Sequence, residues 1–235
     1  MLKLEALDLR KGTFRLQADL EIQPGAQVAV IGPSGAGKST LLEALAGFVP
    51  PAAGRISWQG QDVTGQPPGE RPVAMLFQDG NLFPHLTVAQ NVGLGIDPNR
   101  RLSPQEEARV TAALARVGLA GMEGRKPAAL SGGQHSRAAL ARVLVQNRAL
   151  LLLDEPFAAL GPALKSEMLD LVSEIAQETG ATLLMVSHDP QDARRISREV
   201  VLVADGRAHP PAATASILDS PPPALRAYLG ATPDR

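Results

Sequence analysis

The sequence predicts an α/β fold: a parallel-sheet core interrupted by a helical insertion. Three observations carry the prediction. Gln27–Ile31 (QVAVI) is an apolar strand that runs into a glycine-rich loop and then a helical pattern, Thr40–Ala46. Ala149–Pro156 (ALLLLDEP) is a second apolar strand, and it ends in two carboxylates. Strand and helix patterns alternate before residue 78 and after residue 147, as in α/β proteins, whereas the stretch between them has few strand signals.

Lys3–Leu9 alternates polar and apolar residues with period two, which suits a half-exposed strand. Gln27–Ile31 follows as a buried strand, and Arg55–Trp58 and Val73–Phe77 are further short strands. Thr87–Gly95, Pro104–Val117 and Gly133–Asn147 read as helices. The second of these has a complete start signal: Ser103 as cap, Pro104 at the first position, and acids in the first turn. Strands return at Leu150–Leu153, Thr182–Val186 and Val200–Val203, separated by helices at about Pro162–Glu178 and Pro190–Ile196. The core is therefore expected at 1–77 and 148–207, with the helical insertion at 78–147. From Ala208 the chain is rich in Pro and Ala without clear periodicity, so 208–235 is expected to be a tail, too short for a regulatory domain.

Composition fits a soluble intracellular enzyme. Of the 235 residues 44% are apolar but only 3% aromatic, so the core must be aliphatic. A net charge of −1 gives no electrostatic reason to expect nucleic acid. The absence of cysteine excludes disulfides and cysteine–zinc sites. The opening MLKLEALDLR has no apolar leader segment. The longest strongly apolar run, Ala149–Leu153, falls far short of the ~20 residues that cross a bilayer. Any membrane connection is expected to run through a partner.

The glycine-rich loop carries the first chemistry. Gly32, Pro33, Ser34, Gly35, Ala36, Gly37, Lys38, Ser39 and Thr40 fit the phosphate-binding pattern G-x-x-x-x-G-K-[ST]. Glycines let the backbone curl so that its N–H groups form an anion nest, at a helix N-terminus whose dipole also favours anions. Lys38 can reach β- and γ-phosphates, and the Ser39 hydroxyl is a Mg²⁺ ligand. At the other strand end, Asp154 is placed to hold Mg²⁺ through its innermost ligands, and Glu155 to orient or deprotonate a water attacking the γ-phosphate. A helix-capping role suits these acids poorly, because Pro162 opens the next helix. Leu130–Gln134 (LSGGQ) supplies a second anion site: Ser131, Gly132 and Gly133 lead into a long helix, and Gln134 completes the motif. Alone, it reads better as a simple N-cap followed by a glycine turn; joined to the first loop and the Asp154-Glu155 strand, it reads as an anion site.

Taken in order, these motifs resemble the ATP-binding subunit of ATP-binding cassette (ABC) transporters over roughly residues 1–207. The resemblance implies a P-loop NTPase (RecA-like) core with a small antiparallel β subdomain. It also implies that Gln78 contacts Mg²⁺ and the lytic water, and that His188 (in SHD) holds the γ-phosphate. Taken singly, Gln78 reads as a turn residue and His188 as a helix-flanking polar group, while His85 and His209 read as surface residues. In similar proteins two subunits pair head to tail, each ATP lying between the phosphate loop of one and the signature of the other. A homodimer is thus implied, with an integral membrane permease at the cytoplasmic face of a bacterial inner membrane and, indirectly, a periplasmic solute-binding protein. Leu82, Phe83 and Leu86 can line a groove for a permease helix or pack in the core; the sequence supports both.

The stretches Arg71–Gly95 and TLLMVSHDPQDA resemble the ATPases of bacterial thiamine importers. Importers of iron, sulfate or polyamines share the ATP motifs but usually carry longer C-terminal domains. A non-transport ABC ATPase would insert a long coiled coil, and no sustained heptads occur here. An ATP-binding regulator is the other alternative, against which Glu155 and His188 argue. Three features depart from the family. Gly161 replaces an aspartate that crosses the dimer, and His135-Ser136 replaces Arg-Gln. Lys11 stands where an aromatic usually stacks on adenine, with Phe14 the nearest substitute. The expectation is a functional but slower or less cooperative ATPase.

Overall fold

The computed structural model describes residues 1–78, 80–99 and 101–229. The strands are β1 (Leu2–Lys11), β2 (Phe14–Ile22), β3 (Gln27–Ile31), β4 (Ala53–Trp58), β5 (Gln61–Asp62), β6 (Val73–Leu76), β7 (Leu150–Asp154), β8 (Thr182–Val186), β9 (Glu199–Ala204), β10 (Arg207–Ala208) and β11 (Ala212–Ala213). The helices are α1 (Lys38–Ala46), α2 (Val88–Gly93), α3 (Pro104–Arg116), α4 (Gly132–Leu144), α5 (Pro162–Thr179), α6 (Pro190–Ile196), α7 (Thr214–Asp219) and α8 (Pro223–Leu229). The strands form one sheet in the order β5-β4-β1-β2-β10-β9-β3-β8-β7-β6, with β11 on β9. From β9 through β6 the pairings of β9–β3, β3–β8, β8–β7 and β7–β6 are all parallel. The β5-β4-β1-β2 part is antiparallel.

The parallel strands are buried on both faces, and period-two alternation divides their side chains between layers. In β7, Leu150 and Leu152 face the cluster that holds α1, while Leu151 and Leu153 face the cluster of the inserted helices. In β3, Val28 and Val30 join the first of these, and Ala29 and Ile31 a third cluster. Among the described residues only helical and irregular segments lie between β6 and β7. α2, α3 and α4 each start with a capping box, set by Thr87 with Gln90, Ser103 with Glu106, and Ser131 with Gln134.

Besides shifts of a few residues at element ends and the short β5, the structure differs from the sequence expectation in these places. Helix α1 begins at Lys38 rather than Thr40. β1 extends from Leu2 to Lys11, and its alternation breaks at a bulge where Ala6 takes φ 46°. Gly54 faces this bulge, and a Cβ there would lie 2.4 Å from the Ala6 carbonyl oxygen. β2, which the sequence reading lacks, alternates cleanly and pairs along β1. Finally, the stretch from Ala208 is folded as far as it is described: Leu218 and Leu225 are buried against Ala29, Ile31, Val200 and Leu202 in the third cluster. Two apolar anchors on six- and seven-residue helices are too sparse to register as periodicity. Residues 230–235 of that stretch lie outside the described residues.

Candidate functional site

Sheet order places the chemistry. The phosphate loop follows β3, His188 follows β8, Asp154 ends β7 with Glu155 next to it, and Gln78 follows β6. These are four neighbouring parallel strands, so the loop and the four residues lie along one carboxyl edge, where open α/β sheets bind ligands.

The loop approaches its surroundings so closely that two glycines have no substitute. At Gly32, φ 150°, a Cβ would lie 1.9 Å from the Val203 carbonyl oxygen of β9. At Gly37, φ 103°, it would lie 2.4 Å from Cζ of Phe14. Phe14 is thus half-buried beneath the loop and packed on the core, while Lys11 is exposed at the end of β1. Lys38 is 7% exposed and its Nζ donates to the Gly32 and Pro33 carbonyl oxygens at 2.8 and 2.9 Å. Burial lowers its pKa, and the charges of Glu155 and Asp154 offset that only in part. Ser39 donates its hydroxyl to Asp154 Oδ1 at 3.1 Å. Burial raises the Asp154 pKa against the opposing bond from Ser39.

Glu155 takes φ 45°, the left-handed region that an L-residue enters at a strain of roughly 1–3 kcal/mol. The turn holds because its N–H donates to the Val186 carbonyl oxygen of β8 at 3.2 Å. The result aims the side chain at β8's end, where Glu155 Oε2 lies 3.3 Å from His188 Nδ1. Gln78 is exposed beyond β6. Its loop is fastened from α4: Arg142 donates to the Gly80 and Asn81 carbonyl oxygens, each at 2.7 Å. No local signal in the sequence joins Arg142 to a loop about sixty residues away.

Among the described residues, no hydrogen bond or ion pair joins the signature turn to the phosphate loop. Ser131 Oγ accepts from the Gln134 N–H at 3.3 Å, and Gln134 Oε1 accepts from the Ser131 N–H at 3.0 Å. The hydroxyl keeps its own proton to donate outward. Gly133 packs on α5, where a Cβ would lie 2.2 Å from Leu164 Cδ2. His135 is half-buried in the first turns of α4, and Gly161 is the N-cap of α5 without a side-chain bond.

Near Gln78, the three apolar residues divide. Leu86 is 6% exposed and Leu82 packs on the inserted-helix cluster, whereas Phe83 is 48% exposed. Buried Asn91 holds this turn, accepting from the Phe83 N–H at 2.7 Å and donating to its carbonyl oxygen at 3.0 Å. His85 and His209 are exposed, as expected.

Comparison with known proteins agrees with this arrangement. The family model for ABC transporters matches residues 16–158. The thiamine import ATP-binding protein ThiQ of Ruegeria sp. (strain TM1040) is 70% identical, with 98% of this chain and 100% of that protein covered. The protein of the same name from Cereibacter sphaeroides is 63% identical, again with 98% and 100% covered. A dimeric ATP-binding cassette, MJ0796, in a post-hydrolysis state bound to ADP and Pi, superposes with TM-score 0.79 at 28% identity, over 91% of this chain and 99% of that one. With phosphate loop, signature and carboxylate pair in that order along the chain, it belongs to the ABC transporter family, as an ATP-binding protein.

Proposed function

We propose that the chain hydrolyses ATP as the motor subunit of a bacterial thiamine importer. The observation that carries the cargo is the 70% identity, across the full length of both chains, to a protein named for thiamine import. No part of the site described above has thiamine to recognise, so cargo rests on that likeness.

Each residue's part follows from its position. Lys38 exchanges the Gly32 and Pro33 carbonyls for the β- and γ-phosphates of ATP, inside the N–H nest of residues 32–40. Ser39 and Asp154 bring two oxygen donors together at 3.1 Å, the hard donor chemistry that suits Mg²⁺. When bound, Mg²⁺ would offset phosphate charge. Glu155 orients and deprotonates the attacking water, with His188 beside it to hold the γ-phosphate and Gln78 positioned from the neighbouring strand end.

Ser131, Gly132, Gly133 and Gln134 serve the partner copy. Among the described residues they make no bond to this chain's own phosphate loop, which supports a head-to-tail homodimer, in which ATP closes the interface and hydrolysis reopens it. The dimeric cassette of similar fold supports the same reading. No helix among the described residues is long and apolar enough to cross a membrane. Attachment at the cytoplasmic face would therefore run through a permease, whose helix would meet exposed Phe83 beside the Gln78 loop; the periplasmic binding protein acts indirectly.

The test is labelled-thiamine uptake in cells lacking this gene and any parallel thiamine transporter, complemented with wild type or with Lys38→Ala. Uptake restored by wild type alone is the expected result. Uptake unaffected by the deletion overturns the cargo and leaves the ATPase to be tested on purified protein.

A further inference from the structure

The loop that carries His188 is tied on both sides of the histidine. Ser187 donates its hydroxyl to Asp192 Oδ2 at 2.5 Å, and the Asp189 N–H donates to Ser187 Oγ at 3.1 Å. Asp189 also caps α6, its Oδ1 accepting from the Gln191 N–H at 2.9 Å. All these bonds are internal to residues 187–192. One group from another element closes the ring: Lys165 Nζ lies 2.9 Å from Asp189 Oδ2 and 2.8 Å from Asp192 Oδ1. Burial opposes the charge on Lys165, but its bonds to Asp189 and then Asp192 outweigh that and raise its pKa. The bond from Lys165 likewise lowers the Asp189 pKa.

Lys165 sits in the first turns of α5, its N–H bonded to the Gly161 carbonyl oxygen at 2.9 Å. α5 is the helix reached from Glu155 through residues 156–161. The two partners of the 3.3 Å Glu155–His188 contact are thus held to one helix, Glu155 through the chain and His188 through Lys165. Without the ammonium, two carboxylates three residues apart would face each other across a helical turn and repel. Their separation would move Ser187 and Asp189, the residues that fix the backbone of His188.

We infer that Lys165 is a positioning residue for hydrolysis, a brace from α5 that sets the reach of His188 towards Glu155 and the γ-phosphate. The inference rests on the role proposed above for His188. Lys165 acts on them through Asp189 and Asp192.

The experiment measures steady-state ATP hydrolysis by full-length Lys165→Met, Lys165→Arg, His188→Ala and the Lys165→Met/His188→Ala double variant. Misplacement of a catalytic group by about 1 Å lowers rate by up to about 10²-fold, so Lys165→Met should lose roughly tenfold or more in kcat. Its KM for ATP should stay within about twofold of wild type, since the phosphate loop is untouched and unchanged binding also reports a folded protein. Lys165→Arg, which keeps a cation able to span both carboxylates, should recover most of the rate. In the His188→Ala background Lys165→Met should add about twofold loss or less, because residues acting as one unit are not additive. Wild-type kcat in Lys165→Met, a full further loss in the double variant, or a failure of Lys165→Arg to rescue would each overturn the brace. If His188→Ala itself turns over like wild type, the proposed role of His188 falls, and the brace with it.

Discussion

Replacing Gly161 with aspartate should make the nucleotide-free chain more stable. Gly161 is the N-cap of α5 at φ −64°, ψ 156°, ordinary extended backbone of the kind required before Pro162. A Cβ there would meet nothing within 4 Å. Three small effects then share a sign. An aspartate side chain can accept from the N–H of Ala163 or Leu164, a gain of a few tenths of a kcal/mol over glycine. Its charge at the helix N-terminus adds about 0.3–1 kcal/mol. Restricting the unfolded chain adds about 0.4–1 kcal/mol. The total of about 1–2 kcal/mol corresponds, in a chain of this size, to a rise in Tm of about 2–6 °C. Thermal unfolding followed by circular dichroism would read it, with Gly161→Ala as control. Alanine shares the unfolded-state effect but is a poorer N-cap than glycine, so aspartate must exceed alanine. A Tm for Gly161→Asp at or below that of Gly161→Ala refutes the reasoning. Turnover is a separate measurement on the same variant: if Gly161 loosens the link between two ATP sites, Gly161→Asp should hydrolyse faster or more cooperatively. Kinetics identical to wild type would remove that proposal while leaving the capping argument standing.

Glu155→Gln keeps the shape of the side chain but removes its basicity, so purified protein should bind ATP, dimerise and lose about 10²-fold or more in kcat; wild-type turnover would exclude Glu155 as the base. Arg71 is 1% exposed and donates to the carbonyl oxygens of Ala44, Leu45, Thr64 and Gln66 at 2.7–2.9 Å. Arg71→Met strands two acceptors at the end of α1 and two in the loop after β5, and urea denaturation should show a loss of about 3–5 kcal/mol; a loss below about 1 kcal/mol would refute the count. Asp8 is held at about 2 by Arg15 and Arg10. A carboxylate whose pKa is lowered on folding stabilises above its unfolded value, near 4, and that contribution fades as pH falls towards 2. Asp8→Asn should therefore be less stable than wild type at pH 6, with the gap closing on acidification; a gap that widens would reverse the sign.

What the sequence made legible is what is local. QVAVI followed by GPSGAGKST needs only its own residues to define a strand, a nest and a helix start. The same holds for the Asp154-Glu155 strand end and the Ser103 cap. The Ala6 bulge escaped because its cause lies on another strand, in Gly54. Lys165, Arg142 and Arg71 escaped for the same physical reason. An isolated basic residue on a helix or before a strand looks like any solvated charge until folding brings its carbonyls or carboxylates from 24, 61 or 27 residues away. The sequence offers Phe14 as the aromatic nearest Lys11, but only the tertiary fold puts it beneath Gly37.

The order of strands in the sheet has a consequence for synthesis. β3, which leads into the phosphate loop, is flanked by β8 and β9, both made after residue 180. β2 meets the parallel strands through β10, at residues 207 and 208. On a ribosome adding about 5–20 residues per second, β3 waits roughly 10–30 s for its neighbours. During that time QVAVI is an apolar strand with two unpaired edges, a form that invites pairing with other chains. β3, translated early, is thus completed late, while β1, β2, β4 and β5 can already pair with one another, and the nascent protein is most exposed to aggregation at the strand on which nucleotide binding later depends.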